Sequence, residues 1–371
     1  MYPEILVEKI IIKNFRNHTQ YKLKNSEAIV VLNGDNGAGK TNILEAISLF
    51  SPGKGLRSSN LEDLINNKST DGCFEIIISL KYKNGTINLS KTYNKNNKST
   101  NCFKADNEKI KNIEILDYLN ILWVTPVMEK VMIQNNSEKR NFVDRLIFNL
   151  NKEHLKFYSN LQKIIRERTK LLKQENVDQQ WISSIEQKIA ELSYCLFLSR
   201  QKYTDLINEK LENALQLVTP CQIKLNYKNS LFNNQITKDE FIRLYAVELK
   251  KNREFDLRSN RLNFGVNSIN ISIFMGKENQ IEAKYCSSGE QKSMLISIVF
   301  SVATLIKERN HNNYVILLID EAMAHLDDKH KEKLYEEIIH LNSHVWLTGV
   351  SKDLFTGFKK QTVFFDIKNT I

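Results

Sequence analysis

Eight residues near the N-terminus constrain this chain more than anything else in it. Gly34-Asp35-Asn36-Gly37-Ala38-Gly39-Lys40-Thr41 fits the pattern G-x-x-x-x-G-K-[ST] without deviation. The apolar run Ala28-Ile29-Val30-Val31-Leu32 precedes it, and helical spacing through Ile43, Ala46, Ile47 and Phe50 follows it. A buried strand, a glycine loop and a helix are therefore expected in that order. Such a loop is built to hold phosphate. Gly34, Gly37 and Gly39 let the backbone amides of the loop, Asn36 and Ala38 included, curl around phosphate oxygens. The helix that opens at Lys40, Thr41 and Asn42 adds the positive end of its dipole. Lys40 would reach the β- and γ-phosphates, and Thr41 would offer its hydroxyl to Mg²⁺. ATP and Mg²⁺ are the cofactors implied.

A second constellation lies far downstream. Val315-Ile316-Leu317-Leu318-Ile319 is an apolar run closed by Asp320-Glu321. Asp320 would hold Mg²⁺ at the strand's end, directly or through water. Glu321 would orient or deprotonate the attacking water. An apolar strand followed by two acids is common by itself. Paired with the glycine loop, it makes Glu321, Lys40 and Asp320 the catalytic candidates, with Thr41 and Asp320 on the metal.

Cys286-Ser287-Ser288-Gly289-Glu290-Gln291-Lys292 stands just before a helical stretch. Ser287 or Ser288 reads as an N-cap, with Gln291 at the capping-box spacing from Ser288. A Ser-x-Gly at a helix N-terminus is also suited to a phosphate, here one held by another subunit. Beyond Glu321 comes Ala322-Met323-Ala324-His325-Leu326-Asp327, and Asp327 is a loop carboxylate placed to span a dimer interface.

The chain between these motifs changes character twice. Residues 73–93 alternate as two antiparallel strands with Asn84-Gly85 as their turn, and Ile121-Leu122-Trp123-Val124 reads as a buried strand stopped by Pro126. From about Glu138 apolar residues recur every three or four positions, most persistently from Trp181 to Val218, a helix of roughly 55 Å. The stripes suggest an antiparallel helical arm packed on itself. From about Ser268 the strand–helix alternation returns, with Ile269, Ile271 and Ile273 alternating. The expected organisation is α/β: an ATPase head whose N-terminal lobe is residues 1–135 and whose C-terminal lobe is residues 256–371, split by a helical arm at residues 136–255.

Five cysteines form no CxxC pair and no ligand spacing, which disfavours a disulfide framework and a zinc site. A reducing, cytoplasmic setting is expected. The N-terminal stretch carries Glu4, Glu8 and Lys9 and has no signal-peptide core. No run approaches the ~18 consecutive apolar residues of a bilayer span, so no membrane partner is expected. The net charge of +10 suits a polyanion, although a chain rich in Lys, Asn and Ile throughout would reach that charge from codon bias alone.

In this order the glycine loop, the Ser-x-Gly-Glu segment, the Asp-Glu strand and the Ala-His-Leu-Asp loop resemble ABC-type ATPases. The helical block between the first two resembles the SMC-like branch, and within it the RecF family of DNA replication and repair. Ile12-Lys13-Asn14-Phe15-Arg16-Asn17 is similar to that family's opening strand. Gly53-Lys54-Gly55-Leu56-Arg57-Ser58 is similar to its Gly-Arg-x-x-Arg-Ser segment. Glu138-Lys139-Arg140-Asn141-Phe142-Val143-Asp144-Arg145-Leu146 resembles its arginine-rich helix, and Val345-Trp346-Leu347-Thr348-Gly349 its closing strand.

The resemblance implies an α/β ABC-type head that closes as an ATP-dependent homodimer. Ser287, Gly289 and Glu290 would meet the phosphate held by Lys40 of the other subunit, with Asp327 nearby. It also implies binding of double- and single-stranded DNA at gaps, action with RecR and RecO, and help in loading the recombinase. Slow, DNA-stimulated ATP hydrolysis would act as a timer. Arg16 would approach the adenosine or α-phosphate. Lys54, Arg57 and Arg140 would contact DNA, and Arg145, Arg166, Arg168 and Lys170 are further basic residues near the head or on the arm. The alternative is another SMC/ABC-type ATPase, transport-associated or a structural clamp. Three departures stand out. Thr348-Gly349 lies where transporters place a histidine, so a Gly349→His change should speed hydrolysis. Val127-Met128-Glu129 supplies no glutamine after the Trp123 strand. Gly265-Val266-Asn267-Ser268 keeps only the glycine of the family's Gly-Pro-His-Arg segment.

Overall fold

Strands β1 (Ile5–Phe15) and β2 (His18–Lys24) pair antiparallel around a tight turn in which Arg16 adopts φ 53°. The alternation seen in the sequence puts Val7, Ile10, Ile12 and Phe15 of β1 inside. β3 (Ile29–Asn33) is buried at every residue and leads through the glycine loop into α1 (Lys40–Ser48). β4 (Cys73–Tyr82), β5 (Gly85–Asn94), β6 (Cys102–Ala105) and β7 (Glu108–Ile110) follow, then β8 (Asn120–Val124) and the short α2 (Pro126–Glu129). Tyr82 pairs with Gly85, so the hairpin turn is Lys83-Asn84 and not Asn84-Gly85.

The structure is a computed structural model that describes residues 3–97, 101–176, 178–213, 220–233, 235–276, 280–309, 314–321, 328–355, 357–358 and 361–368. Two compact units divide the chain. The first comprises Met1–Lys130, Ala214–Thr219 and Ser287–Ile371, and the second Val131–Asn213 and Pro220–Cys286. The first unit is completed by α8 (Ser288–Arg309), β12 (Val315–Ile319), α9 (Asp328–Leu341), β13 (His344–Gly349) and β14 (Thr362–Asp366). It holds an antiparallel sheet in the order β2-β1-β4-β5-β6-β7 and a parallel sheet in the order β14-β3-β13-β12-β8. β3, β8, β12 and β13 are buried throughout. Their unbroken apolar sequences are what a parallel sheet covered on both faces requires. α8 is long and apolar enough in composition to cross a membrane, but 78% of that stretch is buried inside the fold, and it serves as a core helix.

The second unit holds α3 (Asn136–Leu150), α4 (Lys152–Leu171), α5 (Gln179–Asn213), α6 (Lys238–Lys251) and α7 (Arg253–Ser259). Asn135 and Asn151 cap α3 and α4 through their side chains. The apolar stripe of α4 and α5 meets α6 in one core, with Leu161, Leu171, Ile189 and Leu196 against Phe241 and Tyr245. This unit also contains a small antiparallel sheet, β11-β10-β9, built from β9 (Cys221–Tyr227), β10 (Ile269–Met275) and β11 (Ile281–Glu282). The alternating isoleucines of β10 therefore pair with β9 inside the second unit.

Candidate nucleotide site

Strands of a parallel sheet all point their carboxyl ends to one edge, and ligands of such sheets bind there. β3 ends in the glycine loop and β12 ends in Asp320, with β13 between them. The glycines are demanded by the backbone. Gly34, Gly37 and Gly39 sit at φ 148°, 86° and 98°. A Cβ on Gly34 would lie 2.3 Å from the Ile367 carbonyl oxygen, and one on Gly39 would lie 2.7 Å from His18 Nε2. Gly37 has open space around it, so only its conformation calls for glycine.

Lys40 curls over this loop, its Nζ donating to the carbonyl oxygens of Gly34 (2.6 Å) and Asp35 (2.8 Å). The next residue joins the two motifs: Thr41 Oγ1 donates to Asp320 Oδ1 at 3.0 Å. Thr348, at the end of β13, donates to the same oxygen at 2.8 Å. Thr348 Oγ1 also accepts from the backbone N–H of Glu321 at 2.9 Å. Burial pushes the Asp320 carboxyl up, against the pull of the Thr348 and Thr41 hydroxyls. Glu321 stands at φ 50°, a left-handed conformation that costs a non-glycine residue about 1 kcal/mol or more. A carboxylate and a hydroxyl 3.0 Å apart suit a hard divalent cation, whose charge would reverse the upward push on Asp320.

The β1–β2 turn walls the loop. Glu45 of α1 is fully buried and accepts from Arg16 Nε (2.9 Å) and Nη2 (2.8 Å), and from Arg57 Nη1 at 3.2 Å. Asn42 donates to Asn17 (2.7 Å) and accepts from Arg57 (2.8 Å). His18 is buried against the Gly39 carbonyl, and burial lowers its pKa. Arg16 and Arg57, assigned by resemblance to nucleotide and DNA, are thus both held by Glu45. Lys54 is exposed, with Asn60 at 3.4 Å.

The helix start at Ser287 is a capping box, but one residue earlier than the spacing from Ser288 to Gln291. The Ser287 N–H and hydroxyl donate to Glu290 Oε2 at 2.7 and 2.8 Å, and the Glu290 N–H donates back at 3.3 Å. These bonds hold the Glu290 carboxyl below its usual range. Ser287 and Gly289 are exposed, and no atom lies within 4 Å of a Cβ built on Gly289. Asp327 lies outside the described residues.

Several basic residues of the second unit are partly or wholly buried and held by partners within the fold. Arg140 donates to the Asn267 carbonyl at 2.6 Å, and burial lowers its pKa. Arg145 is pushed down to about 10 by burial. Arg168 is enclosed by Glu186 (3.0 Å) and Asp256 (2.6 Å), so it cannot face a phosphate backbone. Burial alone would raise the Asp144 carboxyl, but Arg200, at 2.8 and 2.9 Å, and His154, at 3.2 Å, together outweigh it and hold the group at about 2. Two glycines flagged in the sequence have packing reasons. A Cβ on Gly265 would sit 2.1 Å from Tyr245 Oη. One on Gly349 would sit 2.5 Å from the Phe355 ring, so a histidine does not fit there without displacing Phe355. Thr348 and Glu45 were not foreseen as site residues. Their only sequence signals were a hydroxyl ending a buried strand and an acid among the apolar positions of α1.

Residues 6–128 match the RecF/RecN/SMC N-terminal domain family. The DNA replication and repair protein RecF of Rickettsia bellii (strain OSU 85-389) is 32% identical over 347 residues, 93% of this chain and 94% of that protein. A solved structure of the recombination mediator protein RecF with ATP, of the RecFOR pathway, aligns at a TM-score of 0.83 and 20% identity over 99% of both chains. The Smc head domain of Pyrococcus furiosus, with an extended coiled coil and bound to the C-terminal domain of ScpA, aligns at 0.54 and 16% identity over 98% of this chain and 94% of that one.

Proposed function

The chain belongs to the RecF family of DNA replication and repair proteins, SMC-like ABC ATPases, and from that premise we propose that it is an ATP-gated DNA clamp of recombinational repair. The observation that carries the reading is the Thr41–Asp320 hydrogen bond, which closes the glycine loop and the acidic strand into one site. Lys40 would exchange the Gly34 and Asp35 carbonyls for the β- and γ-phosphates of ATP. Thr41 and Asp320 would hold Mg²⁺, which when bound neutralises the phosphate charge. Glu321, anchored through its N–H to Thr348, would orient the attacking water. The exposed Ser287 and Gly289 at the start of α8 would reach the nucleotide of a second copy, with Asp327 across the same interface.

Hydrolysis would be slow because Thr348-Gly349 brings no imidazole to the γ-phosphate. Closure of two heads around DNA would make ATP a timer, with DNA stimulating turnover. Gapped DNA, RecR and RecO, all in the cytoplasm, are the partners this reading takes from its relatives.

Size-exclusion chromatography with light scattering tests the proposal on wild type, Lys40→Met, Glu321→Gln and Ser287→Arg, with and without ATP. ATP-dependent dimers are expected, trapped by Glu321→Gln and abolished by Ser287→Arg. A monomer under every condition refutes the clamp.

A further inference from the structure

Apart from Arg140, which the resemblance assigns to DNA, the residues lining two adjoining clefts in the second unit have no role so far. One, of about 310 Å³, is lined by Arg140, Lys228 and Arg261, and by Asn136, Asn263 and Asn270 among others. Three cations and no carboxylate line it. Arg140 spends one N–H on the Asn267 carbonyl and Arg261 one on Asn263 (3.0 Å). Among the described residues, none of the three cations is ion-paired. The acids beneath are engaged elsewhere: Asp256 with Arg168 (2.6 Å) and with Asn263, which donates to it at 2.9 Å, and Asp144 with Arg200. Cations with no carboxylate in direct contact, gathered in a recess, call for an anion.

The second cleft, of about 290 Å³, shares Lys228, Asn263, Phe264 and Ser268 with the first and adds Phe232 and Phe255. Phe255 is 58% exposed. Phe232 and Phe264 stand against the buried Tyr245 at ring distances of 6.1 and 4.9 Å, which fixes them as walls. Amide side chains of Asn229, Asn252 and Asn263 line the same space.

A basic recess and an aromatic recess with a common wall match the two ends of one nucleotide, a phosphate and a base joined through a sugar. A paired and stacked base could not enter the second cleft, so the strand must be single. We propose that these clefts form a nucleotide subsite for single-stranded DNA. The phosphate lies among Arg140, Lys228 and Arg261, and the base stacks on Phe255 and Phe264. The inference rests on DNA being a partner of this protein, but not on the ATP-gated dimer.

The test uses the full chain and a fluorescein-labelled oligo(dT), followed by anisotropy over a salt series, with photo-cross-linking to an oligo(dT) containing 5-iodouracil. Lys228, Arg261 and Phe255 are exposed, so their substitution spares the fold. Lys228→Ala and Arg261→Ala should each lower the slope of log affinity against log salt by about 0.7. Phe255→Ala should weaken binding at least about fivefold and remove the cross-link to residues 255 and 264. Unchanged affinity in the Lys228→Ala/Arg261→Ala double variant, or a cross-link that maps outside the two clefts, overturns the proposal. So does thymidine monophosphate competing as well as the strand, which would assign the clefts to a free nucleotide. Lys40→Met separates the two readings. If it abolishes the dimer and keeps the cross-link, both stand. If wild type never dimerises yet cross-links at Phe255, only the clamp falls. If it dimerises with ATP and the cross-link is absent, only the subsite falls.

Discussion

Replacing Thr348 with valine keeps the shape of the side chain and removes its hydroxyl, which tests the role given to this residue. Thr348 is 1% exposed, so no water replaces what is lost. Two bonds go: the one to Asp320 at 2.8 Å and the one from the Glu321 N–H at 2.9 Å. A hydrogen bond to a charged group contributes about 1.5–3 kcal/mol, and a backbone donor left without an acceptor costs about 1–3 kcal/mol. Asp320 recovers part of this by taking up a proton, since the Thr348 hydroxyl is one of the groups pulling its pKa down. The expected net loss is about 2–4 kcal/mol, or roughly 5–15 °C in the melting midpoint of a unit this size. Glu321 also loses the anchor that holds its left-handed backbone, so ATP turnover should fall by at least about tenfold. Thermal denaturation and single-turnover hydrolysis read the two effects, and Thr348→Ser should restore most of both. A midpoint within 1 °C of wild type together with unchanged turnover would refute the reasoning.

Asp320→Asn should act in opposite directions on stability and activity. The folded pKa of Asp320 is raised, so its ionisation disfavours the fold as pH climbs above the unfolded carboxylate range. In chelator at neutral pH, Asp320→Asn should therefore melt above wild type while losing Mg²⁺-dependent turnover; a lower melting point refutes this. His344 predicts an acid limit. Its Nδ1–H donates to the Ala28 carbonyl (2.9 Å) and its Nε2 accepts from Trp346 (2.7 Å), so a second proton has no place, and burial puts its pKa at about 4. Stability from this group is complete above pH ~6.5 and falls as pH drops toward 4, by about 3 kcal/mol. Urea midpoints across that range, followed by Trp346 fluorescence, should be steeper in wild type than in His344→Gln; equal slopes refute it. Gly265→Ala should destabilise the second unit by driving a methyl group into Tyr245 Oη, and Tyr245→Phe in the same chain should recover part of the loss. Denaturant midpoints without that recovery would count against the clash.

What was legible in the sequence was what local chemistry dictates. The glycine loop, the acids ending β12, and helix α8 follow from residue types within a few positions of one another. Partners that meet across long separations were not legible. The alternation of Ile269, Ile271 and Ile273 announces a strand but not that Cys221–Tyr227 is its neighbour. Arg168 reads like Lys170 on a helical face, yet Glu186 and Asp256 enclose it. A threonine ending a strand carries no mark that an aspartate from the adjacent strand will accept its hydrogen bond. The hairpin turn slipped by one residue because Asn84-Gly85 favours a turn by type, while the pairing of Tyr82 with Gly85 fixes it at Lys83-Asn84.

The position of β3 also dictates when the nucleotide site can exist. β3 ends at Asn33, yet both of its sheet neighbours lie far along the chain, β13 starting at His344 and β14 at Thr362. During synthesis Ile29–Asn33 has neither of these strands to pair with until the chain has passed residue 344. The loop behind it leans on Ile367, so it gains its shape later still. A growing chain therefore lacks the finished glycine loop, and a strand buried at every residue in the fold must be kept from other chains for that time. At ~5–20 residues per second that wait is roughly 20–70 s. A truncation before Ile367 would take away the wall behind Gly34.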